Sequence, residues 1–369
     1  MLHVETSRPL LTVFGGTGYI GSEVVKQAQH HGFDVRVVTR SRRGPNFITS
    51  STAGVEFIVM DLAQAADTGQ GPENLDHRAL DAVVRGSAGV VNSISLWDAP
   101  HGDMERLHVN GATALAAACR QHDVPLVHLS GLGADPCSSD PYLRVRGQGD
   151  AAVFSANPLQ NTVLRPGAII GGTTRGLLSS FAMLAKMRVC PLFGLGDTTL
   201  QPVTLHDLAK TTIMSCSMQT RKGNAHVPVI DVVGSEVMSF RSLLIDVARH
   251  MGLTILPVPL PYPIWSVVAS VCANLCSAPP IAPAQVALMR SPSALRHATG
   301  NTSSLETRES QHGRLWQILW GKKHIPTTSL SSSSLERSLP AALTMQEAVG
   351  ITPEPIGRAV AEAFATKVQ

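Results

Sequence analysis

The chain has 369 residues, 44% hydrophobic and 4% aromatic, with 30 Lys and Arg against 27 Asp and Glu. This is a globular composition with ample length for a large core, and a net charge of +3 gives no sign of a nucleic-acid or strongly acidic partner. The six cysteines (Cys119, Cys137, Cys190, Cys216, Cys272 and Cys276) form no CxxC pair and no His/Cys cluster at metal-ligand spacing, so reduced thiols in an intracellular compartment are expected and no metal site is.

The first element is a buried strand, Leu10 to Phe14, which turns through Gly15-Gly16-Thr17-Gly18-Tyr19-Ile20-Gly21 into a helix from Tyr19 to Gln29. Glycines 15, 18 and 21 stand where a dinucleotide cradle needs a tight turn, a close backbone approach to a pyrophosphate, and close packing of helix on strand. The helix N-terminus offers N–H groups and a positive dipole end to the phosphates. A second strand, Asp34 to Thr39, ends in Arg40, followed by Arg42 and Arg43. An acidic residue there would bind the ribose hydroxyl of NAD, whereas arginine accommodates the 2′-phosphate of NADP, so NADP(H) is the expected cofactor. A basic surface loop is the plainer alternative. With a first strand from residue 10, Met1 to Pro9 leaves almost no room for a cleavable presequence.

A third strand, Val55 to Met60, delivers Asp61 and Leu62 to the same edge, where the adenine would lie. Residues 63–79 are polar and turn-rich and are expected to form a loop. A helix around Leu80 to Arg85 leads to a fourth strand, Gly89 to Ser93, which places Asn92 and Ser93 against the cofactor. A helix from Met104 to His122 carries Asn110. The fifth strand, Pro125 to Ser130, ends in a hydroxyl, and the sixth, Gln160 to Leu164, runs into Arg165, Pro166 and Gly167 at the carboxyl edge, where such sheets bind ligands. Strands alternating with helices predict an α/β fold, a Rossmann-type doubly wound parallel sheet.

After Thr173 the pattern changes to longer helices, which predicts a smaller C-terminal lobe. The boundaries expected are 1–172 for the NAD(P)-binding core, 173–290 for the lobe, 291–338 for a Ser/Thr-rich, irregular insertion, and 339–369 for a C-terminal helix. The stretch from Pro257 to Met289 is apolar but rich in proline, so a helix from about Ile264 to Cys276 falls short of the roughly 20 residues a bilayer span needs. Packing in the core, docking on a partner and lying at a membrane interface with Trp265 as anchor all remain open for it. Trp316, Ile318, Leu319 and Trp320 interrupt the insertion as a docking patch. Ile356, Val360 and Phe364 recur at four-residue spacing, which marks an amphipathic helix near Pro355 to Lys367. Residues 1–156 carry 12 Lys and Arg against 16 Asp and Glu and residues 157–369 carry 18 against 11, so the later half is the more basic.

Short-chain dehydrogenases use a serine, a tyrosine and a lysine four residues after the tyrosine. The phenol moves the proton, the serine orients the carbonyl, and the lysine stabilises the ionised phenol and grips the nicotinamide ribose. Ser130, Tyr142 and Arg146 stand in that order, with Asn110 as candidate for the asparagine that holds the lysine. Arginine keeps the charge but not the compact reach of an ammonium, so hydride transfer is expected to be weak or absent while cofactor binding persists.

These motifs carry a family resemblance. The runs HLSGLGADPCSSDPYLRVRGQGDAAV, TVLRPGAIIG, PLFGLGDTTLQPVTLHDLAK and PLPYPIWSVVASVCANLCSAPPIAP resemble one group of atypical short-chain dehydrogenases. That group is the NADPH-binding accessory subunits of mitochondrial respiratory complex I, alpha subcomplex subunit nine, with their bacterial relatives. The chain departs from the family pattern at Arg146, Asp150, Gly167 and Ile170. The resemblance implies a non-catalytic NADPH-binding subunit on the matrix side of the mitochondrial inner membrane, in contact with other complex I subunits and with lipid, near the junction of the two arms and the quinone site. It also implies that Gly15, Thr17, Gly18, Tyr19, Ile20 and Gly21 line the pyrophosphate, Arg40 the 2′-phosphate and Asp61 the adenine. Asn92 and Ser93 would lie near the nicotinamide ribose, Ser130, Tyr142 and Arg146 further in, and Arg165, Pro166 and Gly167 would frame the nicotinamide. The alternative reading is an NADPH-dependent reductase or isomerase of the same class acting on a small molecule through Tyr142.

Overall fold

The computed structural model describes residues 8–40, 54–66, 75–96, 101–171, 176–219, 226–275 and 343–365. Arg42, Arg43 and the insertion at 291–338, with its tryptophan patch, lie outside the described residues. Eight strands form one sheet: β1 (Leu10–Phe14), β2 (Asp34–Thr39), β3 (Val55–Val59), β4 (Gly89–Asn92), β5 (Leu126–Leu129), β6 (Thr162–Pro166), β7 (Val229–Val232) and β8 (Leu343–Thr344). Their spatial order is β8-β7-β6-β5-β4-β1-β2-β3, and every pairing in it is parallel. The order 3-2-1-4-5-6 with its reversal between β1 and β4 is that of a doubly wound dinucleotide-binding fold, here extended by two strands.

Side-chain alternation along β1 shows why both faces must be covered. Leu11 and Val13 enter one core, with Val24, Val25 and Ala28 of the helix Tyr19–His30 and with Leu208, Ala209 and Ile213 of the helix Leu205–Gln219. Phe14 enters the opposite core, with Leu80, Leu115, Ala116 and Val153 from three other helices. The two-residue period of a strand therefore feeds two separate hydrophobic layers.

A third core holds the later part of the chain. It joins the helices Leu177–Lys186, Phe240–His250, Tyr262–Leu275 and Ile356–Ala365 with the parallel strand pair Val189–Phe193 and Leu256–Leu260. Pro263 sits in the first turn of Tyr262–Leu275, where a missing N–H costs nothing. Trp265 is a core residue: its Nε1–H donates to the Leu192 carbonyl at 2.8 Å and its ring lies 4.5 Å from that of Phe193. The apolar stretch thus packs inward at Trp265 and Ala269 while Ile264 and Val267 stay exposed. Among the described residues no helix is long and apolar enough to cross a membrane.

Several expectations need correction. Residues 63–79 are not all loop: a short helix, Leu62–Ala66, opens the stretch and Leu75–Val84 closes it. The helix expected from Met104 begins at His101 and passes through a π-helical turn, Arg106–Gly111, before Ala112–Gln121. β6 runs on through Arg165 and Pro166. β7 and β8 were not foreseen, and residues 343–365 contribute a strand and two helices, with Ile356, Val360 and Phe364 buried as the spacing implies.

Candidate dinucleotide-binding site

The loop after β1 leaves little freedom in sequence. Gly15 adopts φ +77°, a left-handed conformation that favours glycine, and its N–H donates to Val38 O at 2.9 Å. A Cβ on Gly21 would lie 2.2 Å from Gly15 O and 2.6 Å from Ser93 Oγ, so only glycine lets the helix approach the strands this closely. Gly18 is the N-cap of Tyr19–His30, no side chain caps it, and the first turn holds no carboxylate. The positive end of the helix is therefore open to an anion, at the carboxyl edge of the sheet beside the reversal between β1 and β4. These features fit a dinucleotide pyrophosphate.

Around this loop the sequence-predicted residues divide by role. Thr17 Oγ1 lies 3.0 Å from Thr39 Oγ1, which ties the loop to the end of β2, where Arg40 stands exposed. Ser93 donates to the Phe14 carbonyl at 2.7 Å, and Asp61 accepts from the Ala63 N–H at 3.0 Å as the cap of the short helix. Leu62 is 1% exposed and its side chain belongs to the core beneath the site, as part of Ile20 does on the other face. Tyr19 reaches away from the loop: its phenol donates to Gly171 O at 2.7 Å, and burial raises its pKa.

Under the expected nicotinamide end lies a buried polar cluster. Asn92 accepts from the Ile94 N–H through Oδ1, which fixes its amide and leaves Nδ2 to donate to His128 Nδ1 at 3.1 Å. The His128 proton is then on Nε2, 3.9 Å from Asp150 Oδ1. Arg146, 3% exposed, donates through Nη1 to His108 Nδ1 at 3.0 Å and through Nη2 to the Leu129 carbonyl. Since a guanidinium only donates, His108 carries its proton on Nε2 and gives it to Leu96 O at 2.7 Å. Burial, then the Arg146 charge, lowers the His108 pKa to about 3, against the raising effect of its bond to Leu96. His128 is held well below the usual range by burial, by Arg146 and by His108.

Asp150 is the anion of this cluster. Burial raises its pKa, opposed by Arg165, whose Nε donates to Oδ2 at 3.0 Å, by the adjacent Ser130 hydroxyl and by Arg146. Pro166 O accepts from the Leu132 N–H, and the Gly167 N–H donates to Val232 O. A Cβ on Gly167 would meet Gln201 O at 2.4 Å, so this turn is closely packed.

The candidate catalytic residues do not assemble as the sequence order suggests. Tyr142 is half-buried, edge-on to His108, with the Arg146 guanidinium carbon 6.0 Å from its ring centre. Ser130 Oγ is buried and forms no hydrogen bond of normal geometry. Asn110 is exposed. The π-helical turn takes up an extra residue, and in the resulting register His108 faces inward and Asn110 outward. His108, not Asn110, is therefore the helix residue that holds position 146. The signal missed is Gly149: a Cβ there would lie 2.1 Å from His108 O, so this mid-helix glycine marks the close approach that seats His108, while Gly147 marks that of Asp135 and Pro136.

Comparison with known proteins agrees with this geometry. Residues 7–145 match the NmrA-like family. The alpha subcomplex subunit 9 of mitochondrial NADH dehydrogenase [ubiquinone] 1 from Mus musculus is 29% identical over 273 residues, which are 71% of this chain and 66% of that protein. The same subunit from Arabidopsis thaliana is 27% identical over 266 residues, 70% of this chain and 62% of that protein. The chain is similar to this complex I subunit along about 70% of its own length. It spans about two thirds of the length of these relatives. Among solved structures, the Bordetella bronchiseptica enzyme WbmG in complex with NAD superimposes with a TM-score of 0.56 at 17% identity, over 83% of this chain and 89% of that one. This likeness shows the fold, a doubly wound sheet with a further C-terminal core.

Proposed function

We propose that the chain is a non-catalytic, NADPH-binding accessory subunit of respiratory complex I. The observation that carries the reading is Arg146. In an active dehydrogenase the cation at this position grips the cofactor ribose, whereas here the guanidinium is spent on His108 and Leu129 O and is 3% exposed. Ser130, whose hydroxyl would orient a carbonyl, is likewise buried. The cradle, by contrast, is intact at Gly15, Gly18 and Gly21, and Arg40 at the end of β2 favours the 2′-phosphate of NADPH. A cofactor held in this way contributes binding energy to the fold instead of chemistry.

The similarity to mitochondrial complex I subunits supports a mitochondrial placement among other complex I subunits, and the reading extends this to the matrix side of the inner membrane, at the junction of the arms near the quinone site, with lipid as a further neighbour. A second reading, an NADPH-dependent reductase or isomerase, is favoured by Tyr142, which keeps its phenol beside the cluster. The two are separated by purifying the chain, extracting its nucleotide and assaying turnover. The accessory reading expects about one NADPH per chain, retained through gel filtration, and no hydride transfer to small carbonyl compounds. Turnover that is lost on Tyr142→Phe would favour the enzyme.

A further inference from the structure

Tyr19 serves two parts of the molecule at once. Its backbone opens the helix Tyr19–His30 directly after Gly18, so its N–H is among the first-turn donors that a helix leaves without an intrahelical acceptor and offers to an anion. Its side chain runs the other way, to the start of the C-terminal core. The phenol donates to Gly171 O at 2.7 Å. Gly176 takes φ +80°, and a Cβ there would lie 2.7 Å from Tyr19 Cζ, so the bare backbone at Gly176 leaves room for the ring. Gly171 follows the strand Ile169–Ile170, and Gly176 is the N-cap of the helix Leu177–Lys186. Ile170, Leu178 and Phe181 from those two elements are buried in the third core, whose described members all lie at Ala168 or beyond. One residue of the glycine loop thus touches both elements by which the chain enters that core.

We propose that Tyr19 is a strut that couples occupation of the dinucleotide cradle to the order of the C-terminal core, an inference that rests on the NADPH-binding reading above. A nucleotide whose pyrophosphate bonds the first-turn N–H groups fixes the Tyr19 backbone, and a fixed backbone holds the phenol on Gly171 O and the ring against Gly176. With the cradle empty that restraint is gone, and the phenol and its acceptor part more readily. By linkage the converse holds: whatever orders the segment around Gly171 and Gly176 strengthens nucleotide binding by the same factor. The hydroxyl is the specific element, since phenylalanine would fill the space beside Gly176 but has no proton for Gly171 O. A single neutral hydrogen bond sets the coupling at about fivefold in an equilibrium constant. A nucleotide that does no chemistry thereby gains a consequence outside its own site: it steadies the helix Leu177–Lys186.

Hydrogen–deuterium exchange of the full chain, with and without saturating NADPH, tests the strut in wild type and in Tyr19→Phe, alongside an NADPH fluorescence titration of both proteins. In wild type, NADPH should slow exchange in the helix Tyr19–His30 and also in Leu177–Lys186. In Tyr19→Phe, with NADPH bound within about fivefold of the wild-type affinity, the first protection should remain and the second should shrink by about fivefold. Equal protection of Leu177–Lys186 in the two proteins would overturn the proposal. Without nucleotide, the variant should exchange faster than wild type in Leu177–Lys186, and matching rates there would overturn it as well. A wild type that binds no NADPH in the titration would instead sink the NADPH-binding reading, and the coupling with it.

Discussion

Acidification should unfold this protein through its buried histidines. His108 and His128 are each 2% exposed and neutral in the fold, with pKa values lowered to about 3 for His108 and well below the usual range for His128. In the unfolded chain both titrate near 6.5, so below that pH the unfolded state binds more protons and stability falls as pH falls. Between pH 8 and pH 5.5 each costs about 1.4 kcal/mol, and the pair about 3 kcal/mol. His226, lowered chiefly by burial, adds in the same sense. Asp150 acts the other way: its raised pKa means that the folded state keeps this proton more readily as acid is added, which offsets part of the loss at the acid end. The assay is urea denaturation at a series of pH values, repeated for His108→Asn, whose side-chain oxygen can still accept from Arg146. The variant should lose about half of the pH slope. A stability that is flat from pH 8 to 5.5, or a slope unchanged by the substitution, would refute the assigned tautomers and the burial of neutral imidazole.

Other consequences follow from single contacts. Gly21→Ala places a Cβ 2.2 Å from Gly15 O, so the loop must open; the purified variant should come without bound dinucleotide, as read by NADPH fluorescence after gel filtration. Arg146→Met leaves the Leu129 carbonyl and His108 Nδ1 without their donor while Asp150 keeps Arg165, at a cost of about 1–3 kcal/mol for each acceptor in chemical denaturation. Trp265→Phe keeps an aromatic ring but loses the indole bond to Leu192 O, a carbonyl that also lies in the strand ladder, costing about 1 kcal/mol, and proteolysis should then cut the helix Tyr262–Leu275 faster.

The sequence spoke most clearly where one residue type alone is tolerated. Gly15 and Gly21 sit where backbone geometry and a close approach demand glycine, so the loop, its flanking strand and its helix were readable from the spacing alone. Apolar runs made β1 to β6 legible for a related reason: all but the edge strand β3 are largely buried on both faces. β7 and β8 were not: β7 falls where the longer helices read as a separate lobe, and a two-residue strand such as β8 is too short to show a period. The fate of Trp265 was open in sequence, since an indole serves a core and an interface equally well until its N–H finds an acceptor such as Leu192 O. Asn110 misled for a geometric reason. Reading an ordinary helix through residues 106–111 puts the wrong residue on the inner face, and nothing in the local pattern announces the wider π-helical turn.

The proposed function requires membership of the respiratory assembly with a bound nucleotide that does no chemistry. Its most direct test is native-gel electrophoresis of membranes solubilised in mild detergent from cells that make the tagged chain, with in-gel staining for NADH dehydrogenase activity. The account predicts that the tag co-migrates with the large active band and that nucleotide eluted from that band includes NADPH. A tag found only in a small species apart from the active band would contradict it.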